Sequence, residues 1–311
     1  MLSVRGEGSV RVLDTGNFMH EVLRLLAERL PALESEADCA AFLRTAAERL
    51  LSEPPFCYMA DTAAGGWSAS SLVREAVIIG GKVYEQLVNS DFRVAAAEQT
   101  FGYPSSPVRG IPLLSGPHPL FLAGKIDRVD RSGVYSRVVD YKTGSVDTSE
   151  ESYYTGRKLQ LELYLTAVSG DGKPAGAYYF PARVGFSKAG EEPFRMEGFT
   201  SGEEEVVRRS DKTLQPGEES RFINASYGKK KSSGLPEGEF EDFLYYSVLV
   251  SRGCAEEIGL GCIAASPYEG ACRYCPYGAV CGYDPSSGAR KEGKITAADI
   301  VSVVQKRRGD K

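Results

Sequence analysis

Two strand-like runs, LFLAGKIDRVD and YSRVVDYKTG, joined by a short turn at Arg131-Ser132-Gly133, constrain this chain more than any other feature. On the second run Asp140 and Lys142 stand two apart, so they project from one face of a strand. Asp127 lies about as far before the turn as Asp140 lies after it. An antiparallel hairpin makes the two carboxylates cross-strand neighbours, roughly 5 Å apart at Cβ. Ionised carboxylates that close repel each other unless a cation sits between them. The plain alternative is a solvated hairpin whose Asp-Arg-x-Asp is surface charge. Against it, Val138 and Val139 precede Asp140, and Phe121, Leu122, Ile126 and Val129 surround Asp127. Such strands read as buried on both faces, and buried charges persist when they are paired or bind metal. The spacing therefore favours a site for a hard divalent metal with an ammonium group beside it.

Around this hairpin the periodicity predicts helices over 16–31, 37–52 and 68–90, the first capped at Asp14 or Thr15 and stopped by Pro31, the third interrupted by Gly80-Gly81. A strand carrying Glu98 fits 92–101, and a Pro- and Gly-rich loop covers 102–119. The hairpin fills 120–143, a helix 153–169, a strand 175–183, and a further strand lies near Phe194–Phe199. A helix at 238–257 leads to a cysteine cluster, and the charged tail from Ser286 is expected to pack weakly. Helices and strands in this order predict an α/β fold with helices packed on a mixed sheet. Four parts are expected: an N-terminal helical part (1–91), a core (92–183), a polar variable insertion (184–237) and a C-terminal helix, cysteine segment and tail (238–311). Lys229-Lys230-Lys231 reads as a solvated loop.

The chain of 311 residues is 42% hydrophobic and 25% charged, the composition of an ordinary globular protein. No apolar run approaches the ~18 residues of a membrane span, and MLSVRGEGSV lacks a secretory signal, so the cytoplasm is the expected location and no membrane partner is expected. A net charge of −5 gives no global positive field of the kind that advertises nucleic acid. Local basic patches coexist with such a total. Of the seven cysteines, Cys39 and Cys57 read as buried apolar residues, and Cys254 and Cys262 flank a helix end. Cys272, Cys275 and Cys281 form C-x2-C-x5-C. An odd total without an export signal argues for metal ligation over disulfides. Zinc ribbons usually supply two C-x2-C pairs, and one is present here.

Taken together, GKIDRVD, VVDYKTG and the following Q-x3-Y (Gln160, Tyr164) resemble the PD-(D/E)XK nucleases of the RecB-like branch. His20 in GNFMHEVL matches that branch's upstream histidine motif, and EIGLGCIAASPYEGACRYCPYGAVCGYD resembles the iron–sulfur region of AddB-type subunits of AddAB helicase-nucleases. The motifs keep their order from about residue 14 to residue 284. The resemblance implies a restriction-endonuclease-like core, DNA as substrate, exonuclease activity during double-strand-break repair, and a partner subunit of the AddA type. In that pattern a fourth cysteine lies upstream of the histidine helix. This chain has none before His20, which suggests a nuclease domain excised from a longer subunit. Two rivals remain: a stand-alone exonuclease of the CRISPR-adaptation type, which should carry its first cysteine near the N-terminus, and a non-catalytic DNA-binding scaffold.

Phosphodiester hydrolysis needs an activated water and neutralised charge, and Mg²⁺ or Mn²⁺ can serve both needs. Asp127 and Asp140 fit as ligands, with the Tyr141 backbone carbonyl a further donor, and the resemblance adds His20. Lys142 would orient the water or stabilise developing negative charge. Glu98 is either another carboxylate on the metal or a strand charge paired with Arg93 or Lys125. Gln160 and Tyr164, four apart on one helix face, would contact the DNA backbone or brace Lys142, with Arg157 on roughly that face for a phosphate. For Cys272, Cys275 and Cys281 the resemblance implies three ligands of a [4Fe–4S] cluster that pins the C-terminus to the core. Its fourth ligand is then missing upstream or supplied by Cys254, with Cys262 not expected to ligate.

Overall fold

A computed structural model describes residues 12–60, 63–170, 172–185, 192–228, 234–291 and 293–309; the lysine run at 229–231 lies outside them. The chain opens with α1 (Val12–Arg29), α2 (Glu36–Ser52) and α3 (Ala63–Val88). It continues through β1 (Arg93–Phe101), β2 (Ile111–Leu114), β3 (Leu120–Leu122), β4 (Gly124–Ser132) and β5 (Tyr135–Lys142). Then come α4 (Glu150–Tyr154), α5 (Gln160–Ser169), β6 (Lys173–Pro181), β7 (Glu197–Thr200), α6 (Glu204–Ser210), α7 (Glu237–Gly259) and α8 (Ala297–Gly309).

Helix α1 buries Phe18, Met19, Val22, Leu23 and Leu26, the spacing of one helical face. It already runs at Val12, so Asp14 lies in its first turn and does not cap it. The Ser35 side chain caps α2 by accepting from the Asp38 N–H at 3.1 Å. Helix α3 passes unbroken through Gly80-Gly81, contrary to the predicted interruption. The reason is packing: a Cβ on Gly80 would lie 2.6 Å from the Leu43 side chain, so the glycine lets α3 approach α2.

Among the described residues the main sheet has five strands in the order β1-β4-β5-β6-β7. All neighbours are antiparallel except β5 and β6, whose parallel pairing needs the crossover through α4 and α5. The sheet is mixed, as expected. Val139, Tyr141, Tyr178 and Phe180 pack against α1, α2 and α3. Val138, Ala177 and Tyr179 pack against α5 and α7 on the opposite side. Alternate residues of β5 and β6 thus serve two cores, which explains the consecutive apolar residues Val138-Val139 and Tyr178-Tyr179-Phe180.

Three further expectations need correction. Residues 120–122 do not extend the long hairpin; they pair with β2, Ile111 opposite Leu122, in a small separate ribbon. The helix expected over 153–169 is two, because the chain turns through Gly156 at φ +79, a left-handed conformation that a helix interior excludes. The tail does not pack weakly: Ile300, Val301 and Val304 of α8 are buried with Tyr153, Phe243 and Tyr246. Among the described residues no helix is long and apolar enough to cross a membrane.

Candidate metal centre

The β4–β5 ladder runs from Ser132↔Tyr135 to Arg128↔Val139, a register that puts Asp127 and Asp140 next in line. The backbones part there. The Tyr141 N–H is taken instead by the Asp127 side chain, whose Oδ2 accepts it at 2.8 Å. This splay opens room between two acidic residues. Asp140 is 3% exposed. Lys142 Nζ stands 2.6 Å from its Oδ2, yet that oxygen accepts no well-directed hydrogen bond from a described residue. Burial, and then the Asp127 charge, push the Asp140 carboxyl up to about 6, against the pull of Lys142 and His20.

From the helical layer, α1 brings His20 to the same place, with Nδ1 3.3 Å from Asp127 Oδ2 and the ring edge-on to Tyr141. Burial alone would lower the His20 pKa. The hydrogen bond and charge of Asp127, the Asp140 charge and the Tyr141 backbone together leave it raised. The Tyr141 backbone, expected to offer its carbonyl to a metal, therefore also engages His20 and Asp127.

Strand β1 supplies Glu98. Its neighbours Ala97 and Gln99 pair with Arg128 and Ile126, so Glu98 faces Asp127 across the strands. Its φ of +52 is rare for a side-chain-bearing residue, and conformations of this kind cost roughly 1–3 kcal/mol and gather at functional sites. Both readings of Glu98 hold in the geometry. It pairs with Lys125, and its carboxylate also lies with His20 and Asp127 in one group whose ligand atoms fall within 4.8 Å of one another. Arg93 instead donates to backbone carbonyls, that of Ser90 at 2.6 Å among them. One imidazole and neighbouring carboxylates fit a hard divalent cation.

Gln160 opens α5, and its Nε2 donates to the Tyr164 hydroxyl at 2.9 Å. Burial raises the Tyr164 pKa, and the charges of Asp140 and Asp127 add to it, which places this phenol beside the acids. Arg157 does not share the α5 face: it lies in the α4–α5 loop, where it donates to Ser152 Oγ at 2.8 Å. Tyr179, absent from the sequence reading, carries Lys142 Nζ 5.5 Å from its ring centroid and pairs with Asp140 across the β5–β6 ladder. Nothing in AGAYYFPAR distinguishes it from the adjacent Tyr178, which faces the other core.

Cys272, Cys275 and Cys281 are exposed free thiols, as are Cys254 and Cys262. Cys272 lies in a 3₁₀ turn at Ala271–Tyr274. Three exposed thiols on one short segment fit three of the four thiolate positions that an iron–sulfur cluster takes.

A family model for the PD-(D/E)XK nuclease superfamily matches residues 3–282. The chain is 29% identical over 334 aligned residues to the B-type subunit of the ATP-dependent helicase/deoxyribonuclease of Desulforudis audaxviator, covering 92% of this chain and 28% of that protein. It is 30% identical over 315 aligned residues to the protein of the same name from Caldanaerobacter subterraneus subsp. tengcongensis, covering 87% of this chain and 26% of the relative. The corresponding Moorella thermoacetica protein is 27% identical over 321, with coverage of 90% and 28%. The chain thus spans about a quarter of the length of the relatives it matches.

Proposed function

This chain belongs to the PD-(D/E)XK nuclease superfamily, and from that premise we propose that it is a metal-dependent deoxyribonuclease, the exonuclease part of an AddAB-type helicase-nuclease acting in recombinational break repair. The observation that carries the reading is the convergence of His20, Glu98 and Asp127 at the splayed end of the β4–β5 hairpin, beside Asp140 and Lys142. Relatives named as helicase/deoxyribonuclease subunits support its place in such a complex, with a partner subunit of the AddA type and unwound DNA as substrate.

Asp127, Asp140 and Glu98 would hold Mg²⁺ or Mn²⁺ by carboxylate oxygens, and His20 by a ring nitrogen. When bound, the ion lowers the pKa of a water and draws charge from a phosphoryl oxygen. Lys142 is two residues from Asp140 on the same strand, so its ammonium meets the attacking water or the charge that develops on phosphorus-bound oxygen. Tyr179 holds that ammonium from beneath with its ring face. The paired Gln160 and Tyr164 brace this side of the site and face the DNA backbone; Arg157, held by Ser152 in the α4–α5 loop, is proposed for a phosphate on the resemblance alone. Cys272, Cys275 and Cys281 would serve as three ligands of a [4Fe–4S] cluster with a structural role, the fourth thiolate coming from another position; iron content and visible absorbance after anaerobic purification test this.

The nuclease reading is tested on single-stranded DNA with Mg²⁺, with EDTA, and with Asp140→Ala. Cleavage is expected in the first case and absent in the other two. Cleavage that survives EDTA or the substitution refutes the metal assignment, and binding without cleavage under every condition favours a scaffold.

A further inference from the structure

We infer that the cleft adjoining the acidic cluster is a subsite for the DNA strand, in which Arg183, with Thr143 and Thr15, holds a phosphodiester flanking the one being cut. The inference rests on the nuclease reading above. The cleft has a volume of about 230 Å³ and is lined by Thr15 and Met19 of α1, Leu72 and Glu75 of α3, and Thr143 and Arg183 from the chain beyond β5 and β6. It is contiguous with the metal-side residues through the backbone itself. Met19 precedes His20, Thr143 follows Lys142, and the Ala182 N–H donates to the Lys142 carbonyl at 2.8 Å.

The position is one that topology favours. β5 and β6 are the parallel pair, ending at Lys142 and Pro181, and ligands of α/β sheets collect beyond the carboxyl ends of parallel strands. A strand whose scissile phosphate meets Lys142 must place its neighbouring residues along the surface next to it. Arg183 is exposed there, and among the described residues it makes no ion pair or hydrogen bond, so its guanidinium is free to take two phosphate oxygens. Two threonine hydroxyls supply shorter-range donors, and Met19 and Leu72 give an apolar wall against which a sugar or base can rest. Glu75 also lines the cleft; its carboxylate disfavours any anion close to it but can accept from a base amine, a contact a nucleic-acid strand can make and free phosphate cannot.

The test compares a short single-stranded oligonucleotide with the p-nitrophenyl ester of thymidine 5′-monophosphate, which ends before it can fill a flanking subsite. Arg183→Ala is expected to lower the preference for the oligonucleotide about tenfold, through KM and not kcat, the loss of one charged hydrogen-bonded contact. Binding of the oligonucleotide with Ca²⁺ in place of Mg²⁺ should lose about 0.7 from the slope of log K against log salt. Arg183→Lys should restore the slope. Inorganic phosphate should not compete. An unchanged preference and slope in Arg183→Ala overturns the inference, as does an equal loss on both substrates. Should the wild type cleave neither substrate, the nuclease reading fails, while the binding slope still decides the subsite.

Discussion

The hairpin of β4 and β5 carries two groups of charges that differ in what they still need. Arg128, Asp130 and Arg137 are wholly buried: Asp130 Oδ2 accepts from Arg137 Nε at 2.8 Å and from Arg128 Nη2 at 3.1 Å. Arg128 also donates to the Tyr141 hydroxyl and to Gln86, and the Arg137 guanidinium lies 4.3 Å from the Phe92 ring centroid. One residue along the chain from Arg128, Asp127 meets Glu98 and His20, and Asp140 lies beside Lys142; the cations here are an imidazole and the ammonium groups of Lys125 and Lys142, 56% and 37% exposed, with no guanidinium among them. Guanidinium in a dry core locks a carboxylate, whereas ammonium on a half-exposed stem leaves it open to a displacing ion. The same residue types thus give a locked strut on one side of a strand and acids without a guanidinium partner on the other.

The largest effect that would break this comparison is on stability. Asp130→Ala leaves two guanidinium groups buried without their carboxylate and should cost about 3–5 kcal/mol in denaturant unfolding, at any metal concentration. Asp140→Asn removes a charge that burial and Asp127 already disfavour, so it should leave stability within about 1 kcal/mol while abolishing cleavage. A variant pair with these outcomes reversed would erase the distinction drawn here.

Glu162 sharpens the comparison as a third solution to the same problem. It is 3% exposed, has no ion pair among the described residues, and burial pushes its carboxyl up to about 8 from 4.5. Its folded-state pKa is raised, so its stabilising contribution is whole below pH 4.5 and is lost as pH rises toward about 8. Across that window wild type should lose up to ~1.4 kcal/mol per pH unit relative to Glu162→Gln. Parallel stability profiles for the two proteins would show that this acid is ionised in the fold.

A smaller effect is expected at Glu98. Glu98→Gly relieves the positive φ and should raise stability by up to ~1 kcal/mol, offset by a surface ion pair of little value, while metal affinity falls. A loss of stability with metal affinity intact would place Glu98 among the struts.

The chain's own pattern disclosed the hairpin, its register and the Asp127, Asp140 and Lys142 set, because a short turn and a two-residue period fix all three locally. The packing of helices on a mixed sheet was equally open to reading. What stayed hidden depends on contacts between distant segments. Asp130 looks like surface charge until Gln86 and Arg137 are folded around it, and Gly80 looks like a breaker until Leu43 packs onto it. Tyr179 becomes part of the site only through the parallel pairing that a crossover creates. The α8 tail, polar in its loop and last turn, hides a buried stripe of three residues too short for periodicity to announce.

The most direct test of the central claim is anomalous diffraction from crystals soaked in Mn²⁺. The account predicts a single strong peak within coordination distance of Asp127 and Asp140, with His20 alongside, and its loss in Asp140→Asn. Manganese bound away from these side chains, or a peak that survives the substitution undiminished, would contradict it.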